Sequence, residues 1–503
     1  MLGGNIGHQR VQFDRSVIAS PLEQRLQSEE TRAEPRPVRV ILDLNPDHPR
    51  GLAGAAETAS AAEASMAPPR TDGARESRLS EEIAEPYLVA VMEPSAVRWV
   101  VHADIEGAER GDWNRRAIHR VWPDFAVLPL LEKSVSTVKG DAARASFAAH
   151  GAGITWAVVD SGVDENHPHF SRWGNLHLPE PLEHRDFTGL NAPGLATVDD
   201  YGIGHGTAVA GVIAGEITPD PARKDRPDFY RELRVRRTLV DADKTVDPHS
   251  SGLVQVSGVA PQCAVVSLKV LGAGSPANVS AVMAALEHVQ RVNDYGRNIR
   301  IHGVNLSLGY PFDPEWFVGG YSPLCKEVDR LVKSGVVVVA AAGNSGFVQH
   351  QMRRQGVPDE FSALVTINDP GNAGEAITVG STHRDSPHRY GVSYFSSKGP
   401  TGDGRLKPDM VAPGERVVSC VSSKAQPADK DWDDPDYTEF SGTSIAAAHV
   451  SGAVAAFLSV RREFIGRPER VKEIFLSAAT DLGRVREFQG HGLVDVMRAL
   501  QSV

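Results

Sequence analysis

The chain has 503 residues, with 53 Lys and Arg against 64 Asp and Glu, a formal net charge of -11. At roughly 100 to 200 residues per domain this length allows two to four domains, or one large core with an appendage. With 23% charged and 41% hydrophobic residues, it is neither a basic nucleic-acid binder nor a highly charged disordered chain.

Three cysteines, Cys263, Cys325 and Cys420, are too few and too scattered for a disulfide framework or a Cys-rich zinc site. The N-terminus carries Arg10, Asp14 and Arg15 and lacks the apolar run of a secretory signal, and no stretch approaches the ~20 apolar residues of a membrane span. A cytoplasmic protein with no membrane and no nucleic-acid partner is expected.

In chain order, a strand is predicted at Val38–Leu44 within an N-terminal segment, 1–50. Residues 51–85, dominated by Ala, Glu, Ser, Pro and Arg without a sustained apolar period, read as a flexible linker. Strands at Tyr87–Met92 and 97–102, a polar stretch suited to a helix and a strand at 125–131 then suggest a small α+β unit over 86–148.

Beyond residue 149 the pattern becomes short unbroken apolar runs, at 154–159, 264–271, 301–308 and 336–342, alternating with helical patterns at 205–215, 279–293, 324–334 and 444–461. Continuous Val/Ile/Leu runs mark strands buried on both faces, so 149–503 is predicted to fold as α/β with a doubly wound, mostly parallel sheet. An insertion at 217–257, charge-rich over 222–244, reads as solvated surface and as the candidate contact for a protein partner. The Asp-rich stretch 426–437 reads as a solvated loop.

Ser444 sits in Ser441-Gly-Thr-Ser-Ile-Ala-Ala-Ala-His-Val-Ser-Gly452, where small residues lead into an apolar helical run. Such a serine is either a plain helix cap or, given a base, a nucleophile favoured by the helix dipole. His205, in Gly204-His-Gly-Thr-Ala-Val-Ala-Gly211, is the available base: flanking glycines allow close backbone approach, and an unperturbed pKa of about 6.5 suits proton shuttling. Asp160 ends the strand at 154–159, where open α/β sheets place their crevice. It would orient the imidazole, or simply accept loop amides. Asp164, His167 and Pro168 read as turn-formers. The order Asp160, His205, Ser444 is one of the known orders of a Ser-His-Asp triad.

With these motifs the sequence resembles the subtilisin-like serine peptidases, the subtilase family, from about Gly151 to its end. The resemblance rests on Val159-Asp-Ser-Gly-Val-Asp164, His205-Gly-Thr207, Gly258-Val-Ala-Pro261, Asn305-Leu-Ser-Leu-Gly309, Ala341-Ala-Gly-Asn-Ser-Gly346, Phe395-Ser-Ser-Lys-Gly-Pro-Thr401, Lys407-Pro-Asp-Met-Val-Ala-Pro-Gly414 and Gly442-Thr-Ser444. It implies a serine endopeptidase acting on polypeptides, with Asn344 as oxyanion donor and Ser307, Leu308, Gly309, Ala341, Ala342 and Gly343 lining the substrate cleft by backbone pairing. Gly-Asn-Ser-Gly is also a common turn sequence. The rival readings are a catalytically silent peptide-binding scaffold and a triad enzyme acting on esters or as a peptide ligase.

The departures are Ala448 where most relatives carry proline, Ala208 where a second His is frequent, and Ile445 where many carry an oxidisable Met. The resemblance implies no cofactor for the chemistry. His169 stands where many secreted relatives place an Asp calcium ligand, and the loop after the His205 helix is replaced by the insertion, so a structural calcium has no support from the sequence. The unit at 86–148 occupies the place of the family's inhibitory pro-domain, or is a regulatory unit; a regulatory or substrate-delivering protein partner is also expected.

Overall fold

The computed structural model describes residues 17–18, 20–32, 35–65, 78–84, 87–107, 115–123, 133–188, 200, 204–217, 233–240, 246–253, 255–272, 278–312, 319–351, 358–423 and 436–503. Two units divide the chain, Met1–Leu128 and Pro129–Val503.

The first unit runs α1 (Ser20–Glu30), β1 (Val38–Leu44), α2 (Gly51–Ala64), β2 (Arg78–Ala84), β3 (Tyr87–Met92), α3 (Pro94–Gly107) and β4 (Ile118–Pro123). Its strands form one sheet in the order β2-β3-β1-β4, every neighbouring pair antiparallel. From β1 to β4 this is the βαββαβ succession of the ferredoxin-like arrangement.

Three expectations are corrected here. The presumed linker contains α2, because Leu52, Ala55, Ala56, Ala59 and Ala62 fall at helical spacing and pack into the unit's core. Alanine gives a weak apolar signal but the strongest helix propensity. The strand expected at 97–102 is the middle of α3, where Ala96, Val97, Val100, Val101 and Asp104 are buried at a 3.6-residue period that β-branched composition hid. The domain boundaries move as well, since β1 pairs with both β3 and β4 and so belongs with the small unit. The strand expected at 125–131 lies outside the described residues.

The second unit begins with α4 (Lys133–Thr137), α5 (Gly140–Phe147), β5 (Thr155–Asp160), β6 (Arg185–Asp186), α6 (His205–Ile213), β7 (Glu216–Ile217), β8 (Leu233–Val240), β9 (Val246–Leu253), β10 (Val256–Ser257) and β11 (Ala264–Lys269). It continues with α7 (Val279–Val292), β12 (Gly303–Leu306), α8 (Pro323–Lys333), β13 (Val337–Ala341), β14 (Phe347–Gln351), β15 (Pro358–Ser362), β16 (Ile377–His383), α9 (Pro387–Tyr390), β17 (Met410–Glu415) and β18 (Val417–Cys420). The chain closes with β19 (Tyr437–Phe440), α10 (Thr443–Val460), α11 (Pro468–Ala478), α12 (Arg486–Gln489) and α13 (Val496–Gln501). The unit starts before residue 149, because Val135, Val138 and Ala143 of the α4–α5 segment are buried in its core.

Among the described residues the main sheet has seven strands in the order β17-β16-β13-β12-β5-β11-β6, all parallel. This is the doubly wound α/β fold expected from the sequence. Every residue of β5, β12 and β13 is buried, one apolar cluster lying on each face. Each Val or Ile so covered contributes about 1.5–3 kcal/mol. The strand β5 lies between β11 and β12, where the order of winding reverses, and crevices form there at carboxyl ends.

The insertion is more than a solvated loop. Its ends are closed by the β7–β10 pair, and β8 and β9 form a hairpin. The hairpin extends a second sheet in the order β18-β19-β8-β9. Residues 218–232, 241–245 and 254, and the Asp-rich stretch before Asp436, lie outside the described residues.

Helix α10 is long and apolar enough to cross a membrane, but 83% of it is buried inside the unit. It runs unbroken over 18 residues, with Ala448 buried in its first half. All three cysteines are buried.

Burial also sets an acid limit on this fold. His169, His288 and His449 are 0%, 5% and 0% exposed, and loss of hydration lowers their pKa to about 3, 4 and 4. Unfolding restores an ordinary value near 6.5, so the unfolded chain binds more protons between those limits. Stability present above pH 6.5 is therefore lost as the pH falls toward 4. The melting temperature is expected to be lower at pH 5 than at pH 7 in circular-dichroism melts; equal values would contradict this.

Candidate active site

Asp160 is the last residue of β5 and is fully buried. Its backbone carbonyl accepts from Val270 and Leu271 N–H groups at 2.8 and 3.1 Å, which fixes the strand end. Its Oδ1 accepts from Ser161 N at 2.8 Å and faces His205 Nδ1 at 2.8 Å. Among the described residues its Oδ2 has no hydrogen-bond partner.

His205 is the first residue of α6, and its side chain keeps 30% exposure. Helix starts leave backbone N–H groups without intrahelical acceptors, and here side chains meet them. Asp200 Oδ1 accepts from Gly204 N at 3.1 Å, and its Oδ2 from Thr207 N and Oγ1 at 2.9 and 2.7 Å. Ser161 Oγ accepts from Gly206 N at 2.9 Å. Gly206 is required by close approach: a Cβ there would lie 2.1 Å from the Gly162 carbonyl oxygen.

Burial alone would lower the His205 pKa, but the charge and hydrogen bond of Asp160, with the charge of Asp200, outweigh it and hold the imidazole above its ordinary range. Asp200 is itself raised by burial, against the pull of the Thr207 hydrogen bonds. Sequence reasoning missed Asp200. Its signal was a carboxylate a few residues before a helix start, a common capping position.

Ser444 is the second residue of α10, so its N–H has no acceptor within the helix. Its Oγ donates to the Ser307 carbonyl at 3.0 Å, and Ser307 Oγ donates back to the Ser444 carbonyl at 2.8 Å. Among the described residues no hydrogen bond joins Ser444 Oγ to His205. The helices carrying them, α6 and α10, pack against each other.

Asn344 lies just past β13 on the surface. Its Oδ1 accepts from Thr443 N and Oγ1 at 3.0 and 3.1 Å, which orients the amide. A substituent on Gly442 would meet Asn344 Nδ2 at 3.6 Å and Ser444 N at 3.8 Å. Two N–H groups thus lie near one point beside Ser444, with Asn344 Oδ1 somewhat farther at 4.0 Å.

The expected cleft residues separate into two kinds. Ala342 donates to Val379 and accepts from Asn368, and Gly343 donates to Thr443 Oγ1 and accepts from Ser397. Ala341 lies in β13. The backbone groups of Ala342 and Gly343 are thus used inside the fold, and the backbone pairing expected of them has no free groups there. Among the described residues Leu308 and Gly309 keep backbone groups without partners, and Ser307 is held by Ser444 and Asn305.

Asp164 is no part of this arrangement. Its carboxylate accepts from Asn166 N, Ser423 N and Ser423 Oγ; burial raises its pKa, but these bonds outweigh it and lower the carboxyl below its ordinary range. His169 does not fit a cation site: its Nε2 lies 3.2 and 3.1 Å from the Gly211 and Ala214 carbonyls and must donate to them. Among the described residues no group of three or more His, Cys, Asp or Glu could hold a metal ion.

The sequence profile of the subtilase family matches residues 151–492. The chain is 30% identical to pyrolysin of Pyrococcus furiosus over 59% of its own length and 21% of that protein's. It is 29% identical to the serine protease AprX of Bacillus subtilis over 55% of itself and 62% of the relative. With the major intracellular serine protease of Bacillus subtilis it shares 27% identity, over 65% of this chain and 74% of that one. The chain thus spans about a fifth of the first relative and under two thirds of the second.

Substitution Gly206→Ala is expected to push the start of α6 off the β5 end, with an overpacking cost of about 1–3 kcal/mol. The His205 pKa should then fall toward its ordinary value in an NMR titration of the folded variant. An unmoved pKa would contradict the fit described.

Proposed function

As a member of the subtilase family, to which this chain belongs, we propose that it is a serine endopeptidase working through Asp160, His205 and Ser444 with Asn344 as an oxyanion donor. The observation that carries this reading is the 2.8 Å contact between Asp160 Oδ1 and His205 Nδ1, made by a fully buried carboxylate with a partly open imidazole. That contact keeps the proton on Nδ1 and leaves Nε2 as the acceptor.

Ser444 Oγ first turns from the Ser307 carbonyl, a rotation between staggered χ1 wells. His205 Nε2 then takes its proton as Oγ attacks the peptide carbonyl, and later returns that proton to the leaving amine. The imidazolium formed between these steps lies against Asp160, whose Oδ2 has no other partner among the described residues. The carbonyl oxygen becomes an oxyanion and takes hydrogen bonds from Asn344 Nδ2 and Ser444 N, the donors bordering one point at Gly442. An extended substrate pairs with Leu308 and Gly309, whose backbone groups are open, beside the wall of Ala341, Ala342 and Gly343.

The scaffold reading is disfavoured by the arranged donors and the raised His205. Comparing amide with ester substrates separates the peptidase from the esterase or ligase. The relative named an intracellular protease supports a cytoplasmic location. The ferredoxin-like order of the first unit supports a pro-domain-like role for it, and a protein partner at the insertion remains part of the proposal.

Ser444→Ala is expected to abolish hydrolysis of an unfolded protein and labelling by a fluorophosphonate, and Asn344→Leu to lower kcat by about 10²–10³-fold with little change in KM. A wild-type chain that never labels would refute the reading. His205 must be neutral to accept a proton, so its raised pKa places the acid limb of kcat/KM above pH ~6.5. Asp160→Asn should move that limb to lower pH while reducing kcat about 10⁴-fold; an unmoved limb would contradict the pairing.

A further inference from the structure

At the opposite end of α6 from His205 lies a cluster of buried rings, formed by His167, His169, Phe170 and Tyr437. His169 is fully buried. Its Nε2 lies 3.2 Å from the Gly211 carbonyl and 3.1 Å from the Ala214 carbonyl, at the end of α6 where helix carbonyls lack intrahelical donors. Two acceptors facing one nitrogen require a proton on it, so Nδ1 carries the lone pair. The Tyr437 hydroxyl, 3.1 Å away, donates to that lone pair. Burial supports the neutral ring, holding its pKa at about 3.

Tyr437 is the first residue of β19, the strand that runs into Gly442-Thr443-Ser444. Its backbone is held from both sides, pairing with Cys420 of β18 and with Val235 of the insertion hairpin. His167 reinforces the contact: its Nε2 is 3.0 Å from the Asp436 carbonyl, and its Nδ1 accepts from His169 N at 3.2 Å. The helix gripped at its end by His169 carries His205 at its start. Over nine residues a helix is stiff, so fixing its last turn fixes the first.

We propose that the His169–Tyr437 contact is a clasp that sets the position of His205 relative to Ser444, making both positioning residues for the peptidase reaction. This rests on the proton-relay reading above. The clasp joins the element that carries the base to the strand that delivers the nucleophile, and the insertion hairpin braces the strand side. Near-attack geometry is sensitive to displacements well under 1 Å, and a 1 Å error costs about 10²-fold in rate.

The test uses the full chain, with active sites counted by fluorophosphonate titration and kcat and KM measured separately per titrated site. Tyr437→Phe removes one hydroxyl and keeps the ring; it is expected to lower kcat about 10-fold with KM within about two-fold. His169→Phe removes all three hydrogen bonds and should lower kcat about 10²-fold. The double variant should be no worse than His169→Phe alone, because the two side chains act as one contact. His169→Gln, which can still donate to the Gly211 and Ala214 carbonyls, should recover part of the loss.

A merely structural contact would lower the titratable fraction or the melting temperature and leave kcat per titrated site unchanged. That result in Tyr437→Phe overturns the clasp, even if His169→Phe fails to fold. A rise in KM with kcat preserved overturns it equally. A wild-type chain that does not titrate refutes the proton-relay reading and the clasp with it, so the two failures are distinct.

Discussion

The structure turns on one contact, between a carboxylate at the end of a buried strand and an imidazole at the start of a helix. Asp160 is taken fully out of water, and a carboxylate so placed is tolerated only when hydrogen bonds compensate it. Ser161 N and His205 supply these through Oδ1. The helix start can come so close because Gly206 has no side chain between it and the Gly162 carbonyl. Asp200 and Ser161 meanwhile accept from the first-turn N–H groups that have no acceptor within the helix. Each of these features answers the same demand, which is to hold an imidazole against a buried charge without strain.

A parallel constraint governs the Ser444 side. The helix α10 lies in the core of the second unit, with Ala446, Ala447, Ala448, Val450 and Ala453 all fully buried. Its small residues let it pack directly on α6, which β18 also holds through Ser419 Oγ donating to the Ala208 carbonyl at 2.6 Å. What the core fixes is the direction of the helix start. Its first-turn N–H groups then divide between Asn344 Oδ1, which takes Thr443 N, and the point at Gly442 where Ser444 N and Asn344 Nδ2 meet. The same Asn344 side chain thus caps the helix with its oxygen and turns its nitrogen toward Gly442, so both follow from one amide orientation.

The seven-stranded sheet was legible because strands buried on both faces need unbroken apolar runs, and β5, β11, β12 and β13 carry them. The contact between Asp160 and His205 joins two residues the sequence had singled out, because a carboxylate at a strand end and a glycine-bounded His before a helix are short, local signals. What the sequence hid depends on contacts distant along the chain. Asp200 reads as an ordinary loop carboxylate until its bonds to Gly204 and Thr207 are seen, and Tyr437 reads as the end of an acidic loop. The insertion looked like solvated surface because its charges mask a hairpin whose pairing partner, β19, lies just over two hundred residues on. In the first unit the errors were of period and of magnitude. Val97, Val100 and Val101 are β-branched residues on a helical spacing, and α2 buries alanines, whose apolar signal is too small to stand out.

On the proposed reading, a tetrahedral adduct on Ser444 places its oxygen between Asn344 Nδ2 and Ser444 N while His205 stays on Asp160. A crystal structure of the chain after reaction with a fluorophosphonate measures this directly. The expected result is a phosphonyl group on Ser444 Oγ, one oxygen about 2.7–3.1 Å from both donors, and the His205–Asp160 contact retained. A phosphonyl oxygen turned away from Asn344, or a group attached elsewhere than Ser444, would contradict it.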